Sequence, residues 1–224
     1  MISENIEKIK ATLPQGVKLV AVSKLKPVED IMEAYRAGQR LFGENYAAEL
    51  RDKQVLLPTD IEWHFIGHLQ SKQLKYYIPF VSMIHGVDSL QHLLDVDKAA
   101  QKAGRHVNIL LQIHVAAEET KFGFSPDELR QLQNQLNPAS LLATTVCGVM
   151  GMATNTDDYS RVRNDFRNIR SSFDTLRNGL FKQNSAFCEV SMGMSHDYRI
   201  AIDEGSTIVR LGASVFGPRN YPNQ

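Results

Sequence analysis

Short apolar runs alternate with amphipathic stretches along almost the whole chain, and this alternation limits the folds that the chain can adopt. The runs are rich in valine, isoleucine and leucine, as buried parallel strands are, and almost all are followed by apolar residues at helical spacing. Eight runs are present, at residues 19–22, 40–43, 62–66, 81–87, 107–115, 145–149, 186–190 and 207–211. Repeated strand–helix units predict a parallel sheet, and eight of them predict an α/β fold closed into a (β/α)8 TIM barrel.

The length of the chain agrees with one barrel domain over residues 1–224. The chain has 224 residues, of which 43% are apolar, and this length is at the short end for the fold. No linker or change of composition marks a second domain. We therefore expect short helices and short loops around a single barrel.

The charge pattern argues against nucleic-acid and membrane partners. Lys and Arg number 25, Asp and Glu number 25, and neither sign forms a run. The first residues lack the basic segment and apolar core of a signal peptide, and no apolar run approaches the length of a membrane span.

Cys147 and Cys188 lie in apolar runs, which predicts buried free thiols. We expect a cytoplasmic monomer.

Lys24 is the first candidate functional residue. Parallel barrels place their chemistry at the carboxyl ends of the strands, and Lys24 directly follows the first run. Pro27 then opens a helical pattern, so Lys24 lies where strand gives way to loop. Partial desolvation there would lower the pKa of the amine and make it a nucleophile. Taken alone, the position also fits a solvated loop lysine.

Two loops have the composition of phosphate-binding sites. Residues 191–195, with the sequence SMGMS, lead from the seventh run into a predicted helix N-terminus, where free N–H groups attract anions. Residues 212–214, with the sequence GAS, follow the eighth run, and barrels often bind phosphate after strands seven and eight. Because Gly and Ser also fill ordinary loops, neither loop is diagnostic by itself.

Arg210 lies in the apolar eighth run, where a buried cation needs an anionic or acceptor partner. One interpretation is an ion pair with a core carboxylate. The other joins Arg210 with Lys24 and the two loops in a site for pyridoxal 5′-phosphate (PLP). The aldehyde of this cofactor would form a Schiff base with Lys24, and Arg210 would donate to its pyridine nitrogen.

Five segments resemble the family of pyridoxal phosphate homeostasis proteins, and the resemblance extends over almost the whole chain. They are AVSK at 21–24, FGENY at 42–46, WHFIGHLQ at 63–70, SMGMS at 191–195 and GSTIVRLG at 205–212. Together they are specific, because each falls at its own predicted strand end. The resemblance implies a barrel like the N-terminal domain of alanine racemase and a role in intracellular vitamin B6 homeostasis.

The resemblance also implies the cofactor contacts. The cofactor would be held on Lys24, with Asn45 beside it and Arg210 facing the ring nitrogen. The phosphate would lie against the loops after strands seven and eight. The full set of expected PLP-binding residues is Lys24, Asn45, Ser191, Ser195, Arg210, Gly212 and Ala213.

Two positions depart from the family pattern. Ala213 stands where many relatives have a hydroxyl residue, so a side-chain contact to phosphate is lost there while the backbone N–H is retained. His114 stands where Asn is common, and we have no physical account of that exchange.

Three functions are compatible with these residues. The first is a non-catalytic protein that holds PLP and delivers it to apo-enzymes. The second is a PLP-dependent amino-acid racemase, which needs a base on each face of the substrate α-carbon. In the racemase fold one base comes from a second domain, for which we expect no residues here. The third is an aldolase that uses Lys24 without a cofactor. We expect the first, without strong catalytic activity.

Several other residues have simpler interpretations. His64 and His68 span a strand end and Gly67, which predicts structural or pocket-rim roles rather than a metal pair. Asp88 is expected to cap the helix that follows it. Glu118, Glu119 and Lys121 are expected to form a solvated loop. Four methionines fit either the pocket or the core, namely Met150, Met152, Met192 and Met194.

Overall fold

The computed structural model, which describes residues 1–118 and 122–218, confirms the (β/α)8 TIM barrel. Eight parallel strands follow one another around the barrel in chain order, and the last pairs with the first to close it. The strands are β1 (Lys18–Val22), β2 (Leu41–Glu44), β3 (Glu62–Phe65), β4 (Met83–Val87), β5 (Val107–Ile113), β6 (Thr144–Gly151), β7 (Glu189–Ser191) and β8 (Ile208–Leu211).

The helices surround this barrel. They are α1 (Ile2–Thr12), α2 (Val28–Arg36), α3 (Ala47–Gln54), α4 (Leu90–Lys102), α5 (Pro126–Gln135), α6 (Tyr159–Asn178), α7 (Tyr198–Asp203) and α8 (Ala213–Phe216), with 3₁₀ helices at Ser71–Tyr76 and Pro138–Ser140. The capping box of Ser125 and Glu128 opens α5 as its sequence predicts. Within the described ranges, no helix is both long enough and apolar enough to cross a membrane.

The apolar core has two layers. The larger layer lies between strands and helices, and α6 contributes Val162, Phe166, Ile169 and Phe173 to it at helical spacing. The smaller layer fills the barrel interior with Val20, Met83, Leu110, Cys147, Met150 and Ile208. Full burial of each such large side chain is worth about 1.5–3 kcal/mol, so the strands form a rigid frame for the residues at their ends.

The seventh strand–helix unit differs from the prediction. β7 ends at Ser191 rather than residue 190, and α7 begins at Tyr198 rather than at Ser195. The reason is a turn in which Asp197 Oδ1 accepts the Met194 N–H at 2.6 Å, which delays the helix. Ser195 therefore lies in a loop and not at a helix N-terminus.

Two other local predictions are wrong, and a third is met by a different kind of helix. The pattern of residues 70–77 predicts a helix, and a 3₁₀ helix occupies Ser71–Tyr76. Glu44 ends β2 rather than opening the next helix. Cys188 is exposed, because it precedes β7 at the edge of the barrel, whereas Cys147 is buried and its thiol pKa is raised by that burial to about 11.

Candidate functional site

A cavity of about 400 Å³ opens at the carboxyl ends of the strands, and we call it the strand-end cavity. Its size falls in the range of about 300–1,000 Å³ that is usual for small-molecule sites. Six of the seven residues predicted to bind the cofactor line it, namely Lys24, Asn45, Ser195, Arg210, Gly212 and Ala213. A larger cavity of about 610 Å³ lies at the opposite end of the barrel, where residues of barrels serve stability rather than chemistry.

Lys24 reaches the cavity from a turn directly after β1. The turn is closed by the Lys26 N–H, which donates to Ser23 O at 3.0 Å. Leu25 has a φ of 60°, in the left-handed region that costs an L-residue roughly 1–2 kcal/mol. The Glu49 carboxylate accepts the Leu25 N–H at 2.7 Å and so holds this strained turn in place. Lys26 points elsewhere, since its Nζ donates to the carbonyls of Phe216 and Pro218.

Behind this turn lies a buried ionic cluster, made of Ser23, Glu44, Glu49 and Lys53. Lys53 Nζ donates to Glu44 Oε1 at 2.8 Å, to Glu49 Oε1 at 2.6 Å and to Ser23 O at 2.7 Å. The Ser23 hydroxyl donates to the same Glu44 oxygen at 2.7 Å. Burial raises the pKa of Glu44 to about 7, against the opposing effects of Lys53 and Ser23. Sequence reasoning missed the cluster, although a glutamate at the end of an apolar strand was a signal for it.

The Glu44 pKa has a consequence for stability. Its ordinary value of 4.5 in the unfolded chain is raised to about 7 in the folded protein, so between these values the folded state binds more protons. Deprotonation of Glu44 therefore lowers the free energy of unfolding by up to about 3 kcal/mol as pH rises through this window. His64 and His85, whose pKa values are lowered by burial, act in the opposite direction.

A comparison of variants isolates this effect. We expect Glu44→Gln, relative to the unsubstituted protein, to gain free energy of unfolding between about pH 5 and about pH 8 in urea titrations. The exposed carboxylate of Asp52, on α3, provides the control, and Asp52→Asn should follow the unsubstituted protein. Identical pH profiles for Glu44→Gln and the unsubstituted protein would contradict the assignment.

Asn45 follows β2 and brings an unsatisfied acceptor to the cavity. Its Oδ1 atom is buried and accepts no hydrogen bond from any residue in the described ranges. Such a group costs about 1–3 kcal/mol, which a hydrogen-bond donor on a ligand would recover. The Asn45 backbone passes so close to Gly67 that a Cβ there would lie 2.0 Å from Asn45 O, so residue 67 must be glycine.

Arg210 is buried in β8, with only 5% of its surface exposed. Its Nη1 donates to Ser191 O at 2.8 Å and Ser191 Oγ at 2.6 Å, and its Nη2 donates to Gly151 O at 3.1 Å. Burial lowers its pKa to about 10, with the charge of Asp197 opposing the shift, so it stays protonated at neutral pH. No carboxylate in the described ranges forms an ion pair with it, contrary to the core-pair interpretation.

Ser191 is the one predicted binding residue that does not line the strand-end cavity. It is fully buried at the end of β7, behind Arg210, and its hydroxyl contacts the guanidinium rather than the cavity. The prediction placed it in a loop because β7 was expected to end one residue earlier.

One wall of the cavity joins the loops after β7 and β8. Ser195 Oγ accepts the Ser214 N–H at 3.3 Å, which ties the first loop to the start of α8. Gly193 has a φ of 97°, and a Cβ there would lie 2.7 Å from Ala201 Cβ, so glycine is needed for this tight path. Met152 and Met194 line the cavity, while Met150 and Met192 are buried in the core.

The histidines of the strand-end face lie outside the cavity, apart from His196. The His68 ring stacks on Phe122 at 3.8 Å. The prediction that Asp88 caps α4 is wrong: Ser89 is the cap, and Asp88 Oδ1 contacts His92 Nδ1 at 2.6 Å. His114 Nε2 lies 3.3 Å from Glu118 O, and the rest of that predicted loop, residues 119–121, is outside the described ranges.

Across residues 1–118 and 122–218, no group of three or more His, Cys, Asp and Glu side chains is placed to hold a metal ion.

Comparisons with known proteins agree with this geometry. The family model of the alanine racemase N-terminal domain matches residues 1–220. A pyridoxal phosphate homeostasis protein of Aquifex aeolicus is 38% identical over 205 residues, which cover 91% of this chain and 88% of that protein. The structure of PipY from Synechococcus elongatus, solved with PLP bound, is 34% identical with a TM-score of 0.87, covering 97% of this chain and 100% of PipY.

Alanine racemase itself is a more distant neighbour. The enzyme of Bartonella henselae is 17% identical with a TM-score of 0.72, and the likeness covers 99% of this chain but 60% of the racemase. At this identity the likeness concerns the fold alone. From the matched model and the close relatives, the chain belongs to the alanine racemase N-terminal domain family and to the pyridoxal phosphate homeostasis proteins.

Proposed function

We propose that this protein binds PLP in the strand-end cavity and acts in the intracellular homeostasis of vitamin B6. The observation that carries the proposal is the convergence of Lys24, Asn45 and Arg210 on one cavity of suitable size. PipY, which is 34% identical, has been solved with PLP bound. When bound, PLP supplies an aldehyde that reacts with an amine to form a Schiff base.

The residues of the cavity fit this cofactor. Lys24 supplies the amine for the aldehyde, and Asn45 Oδ1 supplies an acceptor for the ring hydroxyl. Arg210 retains two N–H donors without a partner in the described ranges, which suits an unprotonated pyridine nitrogen. The backbone around Gly212 and Ala213, together with Ser195, is proposed to hold the phosphate.

We infer that the protein holds the cofactor rather than turning over amino acids. An arginine at the ring nitrogen disfavours its protonation and makes the cofactor a weaker electron sink, a feature shared with alanine racemase. A racemase also needs a base on each face of the α-carbon. Besides Lys24, the titratable side chains lining the cavity are Arg210, which stays protonated, and His196. His196 is 52% exposed, and its Nε2 atom lies 3.2 Å from the Asp197 carboxylate, which occupies one of its ring nitrogens.

Solvent exchange tests this inference against the racemase alternative. The PLP-loaded protein is incubated with L-alanine or L-serine in deuterated water, and exchange of the α-proton and optical rotation are followed. Typical enzymes turn over at about 1–10³ s⁻¹, and we expect exchange and racemisation far slower than this. Rates in that range, lost in a His196→Asn variant, would establish a racemase with His196 as a base. An aldolase that uses Lys24 without a cofactor would instead be colourless as purified, whereas a protein purified with bound PLP is yellow.

Delivery of the cofactor is the second part of the proposal. An open cavity lets amines reach the Lys24 adduct and release the cofactor by exchange. The PLP-loaded protein, freed of excess cofactor, is mixed with a PLP-dependent apo-enzyme. We expect activity to return as the visible absorbance on this protein falls. Retention of the absorbance with no recovered activity would limit the role to storage.

The extent of the domain, the oligomeric state and the location stay predictions. We propose that one barrel carries the whole site, that the protein is a monomer and that it is cytoplasmic. Light scattering during size-exclusion chromatography checks the second of these, and fractionation of cells checks the third.

A further inference from the structure

A line of polar side chains crosses the otherwise apolar interior of the barrel, and we call it the polar chain. It runs from Arg210 on β8 through Ser191 on β7 and His85 on β4 to His64 on β3. Arg210 Nη1 lies 2.6 Å from Ser191 Oγ, His85 Nδ1 lies 3.1 Å from the same oxygen, and His85 Nε2 lies 2.9 Å from His64 Nδ1. His64 borders the cavity at the opposite end of the barrel.

The donors and acceptors of the polar chain determine in which direction its hydrogen bonds run, from Arg210 to His64. Arginine can only donate, so Ser191 Oγ accepts from it. The serine hydrogen then has His85 Nδ1 as its acceptor, which places the His85 hydrogen on Nε2, where it donates to His64 Nδ1. Burial lowers the pKa of His64 to about 3 and that of His85 well below its ordinary value, so both rings are neutral and this direction persists at neutral pH.

The polar chain is costly for a barrel interior. Ser191 and His85 are fully buried, and His64 and Arg210 nearly so. Buried polar groups add little stability even when all are satisfied, and apolar side chains would fill the same space without that cost. The arrangement divides the five N–H donors of Arg210 between the protein and a ligand. Three donate to oxygens of Ser191 and Gly151, which leaves two for a ligand.

We propose that Ser191 and His85 are positioning residues that hold the Arg210 guanidinium toward the ring nitrogen of bound PLP. This inference rests on the proposed function. Ser191 Oγ orients the Nη1 group, and His85 orients the Ser191 hydroxyl so that its lone pairs face the arginine. Neither residue touches the cofactor. Loss of either side chain leaves the guanidinium held by Ser191 O and Gly151 O alone or by a misoriented Ser191 hydroxyl, which loosens the Nη1 group and weakens the hydrogen bond to the ring.

Two variants break the polar chain and a third restores part of it. Ser191→Ala removes the side-chain acceptor of Arg210 Nη1 and keeps the backbone acceptor Ser191 O, and His85→Leu removes the acceptor for the Ser191 hydroxyl. His85→Asn retains an acceptor near the position of Nδ1. The measurements are the dissociation constant for PLP and the wavelength of its visible absorbance. We expect Ser191→Ala and His85→Leu to weaken PLP binding about tenfold. Their absorbance should shift in the same direction as that of an Arg210→Gln variant, in which the donor to the ring nitrogen is removed. His85→Asn should recover most of both.

A matched serine separates positioning from packing. Ser206 is also buried near β7 and β8, but its hydroxyl donates to backbone carbonyls, the nearest being Met192 O at 2.7 Å. Ser206→Ala should lower the melting temperature and leave the absorbance wavelength unchanged. In an Arg210→Gln background, Ser191→Ala should change the PLP dissociation constant by less than about twofold, since the group it positions is gone.

The outcomes are distinct. If Ser191→Ala behaves like Ser206→Ala, with a lower melting temperature but an unchanged dissociation constant and absorbance, the polar chain is structural only and the inference is wrong. Ser191→Ala decides the question alone if His85→Leu does not fold. If the unsubstituted protein develops no visible absorbance with PLP, the proposed function itself fails, and this inference fails with it.

Discussion

Replacement of Lys24 by alanine is expected to abolish covalent attachment of PLP, while Lys26→Ala leaves attachment intact. Both lysines belong to the turn after β1, but only Lys24 of the two lines the strand-end cavity. Lys26 is held on the far side by the carbonyls of Phe216 and Pro218, each at 3.1 Å. The measurement is the visible absorbance of the PLP-treated protein, followed by borohydride reduction and peptide mapping. The absorbance should fall to background in Lys24→Ala.

A second substitution separates the amine from its charge. Lys24→Arg keeps the positive charge but has no amine to react, so it should bind PLP reversibly and show no reduced adduct. Finding the reduced adduct on Lys26, or on Lys121 outside the described ranges, would show that the site is assigned to the wrong lysine.

Arg210→Gln is expected to weaken PLP binding about 10- to 100-fold, because a hydrogen bond from a charged group contributes about 1.5–3 kcal/mol. The visible absorbance should also shift, since the ring nitrogen loses a charged donor. The free energy of unfolding of the cofactor-free protein should fall by about 1–3 kcal/mol, because the buried carbonyls of Ser191 and Gly151 lose their donor. Absorbance titration and urea unfolding measure these effects.

The control is Arg130→Gln, which removes an exposed guanidinium paired with Asp127 on α5. Exposed pairs contribute about 0–1 kcal/mol, so both binding and stability should change little. A broken buried ion pair costs about 3–5 kcal/mol. An Arg210→Gln variant that loses this much stability with an unchanged spectrum would show that Arg210 stabilises the core and does not contact the cofactor.

Lys24 and Arg210 show which parts of the site could be predicted from the sequence. Their positions follow from local patterns, an apolar run followed by a helix opening at Pro27 and a cation within an apolar run. Parallel strands bring their carboxyl ends to one face, so residues 24, 45, 195 and 210 meet without knowledge of the tertiary structure. The resemblance to a family then supplied their roles as expectations.

The elements that went wrong depend on contacts between distant segments. Ser191 was expected at the phosphate and lies behind Arg210, because its orientation depends on where β7 ends. The late start of α7 depends on one hydrogen bond from Met194 N–H to Asp197. Cys188 resembles a strand residue in the sequence, yet it lies at the exposed edge where β7 has not begun.

The barrel could be predicted from local patterns, because the periods of strand and helix are local properties and the order of parallel strands follows from chain connectivity. The same patterns predicted most of the residues that stand at the strand ends. The side chains that lie behind those residues became known from the packing of the folded chain. Lys53 reaches Glu44 and Ser23 across two strands, and His85 meets Ser191 across 106 residues of sequence. These contacts depend on how strand–helix units pack against one another and across the barrel interior; a buried strand-end glutamate signals that a partner is needed, but not which residue supplies it.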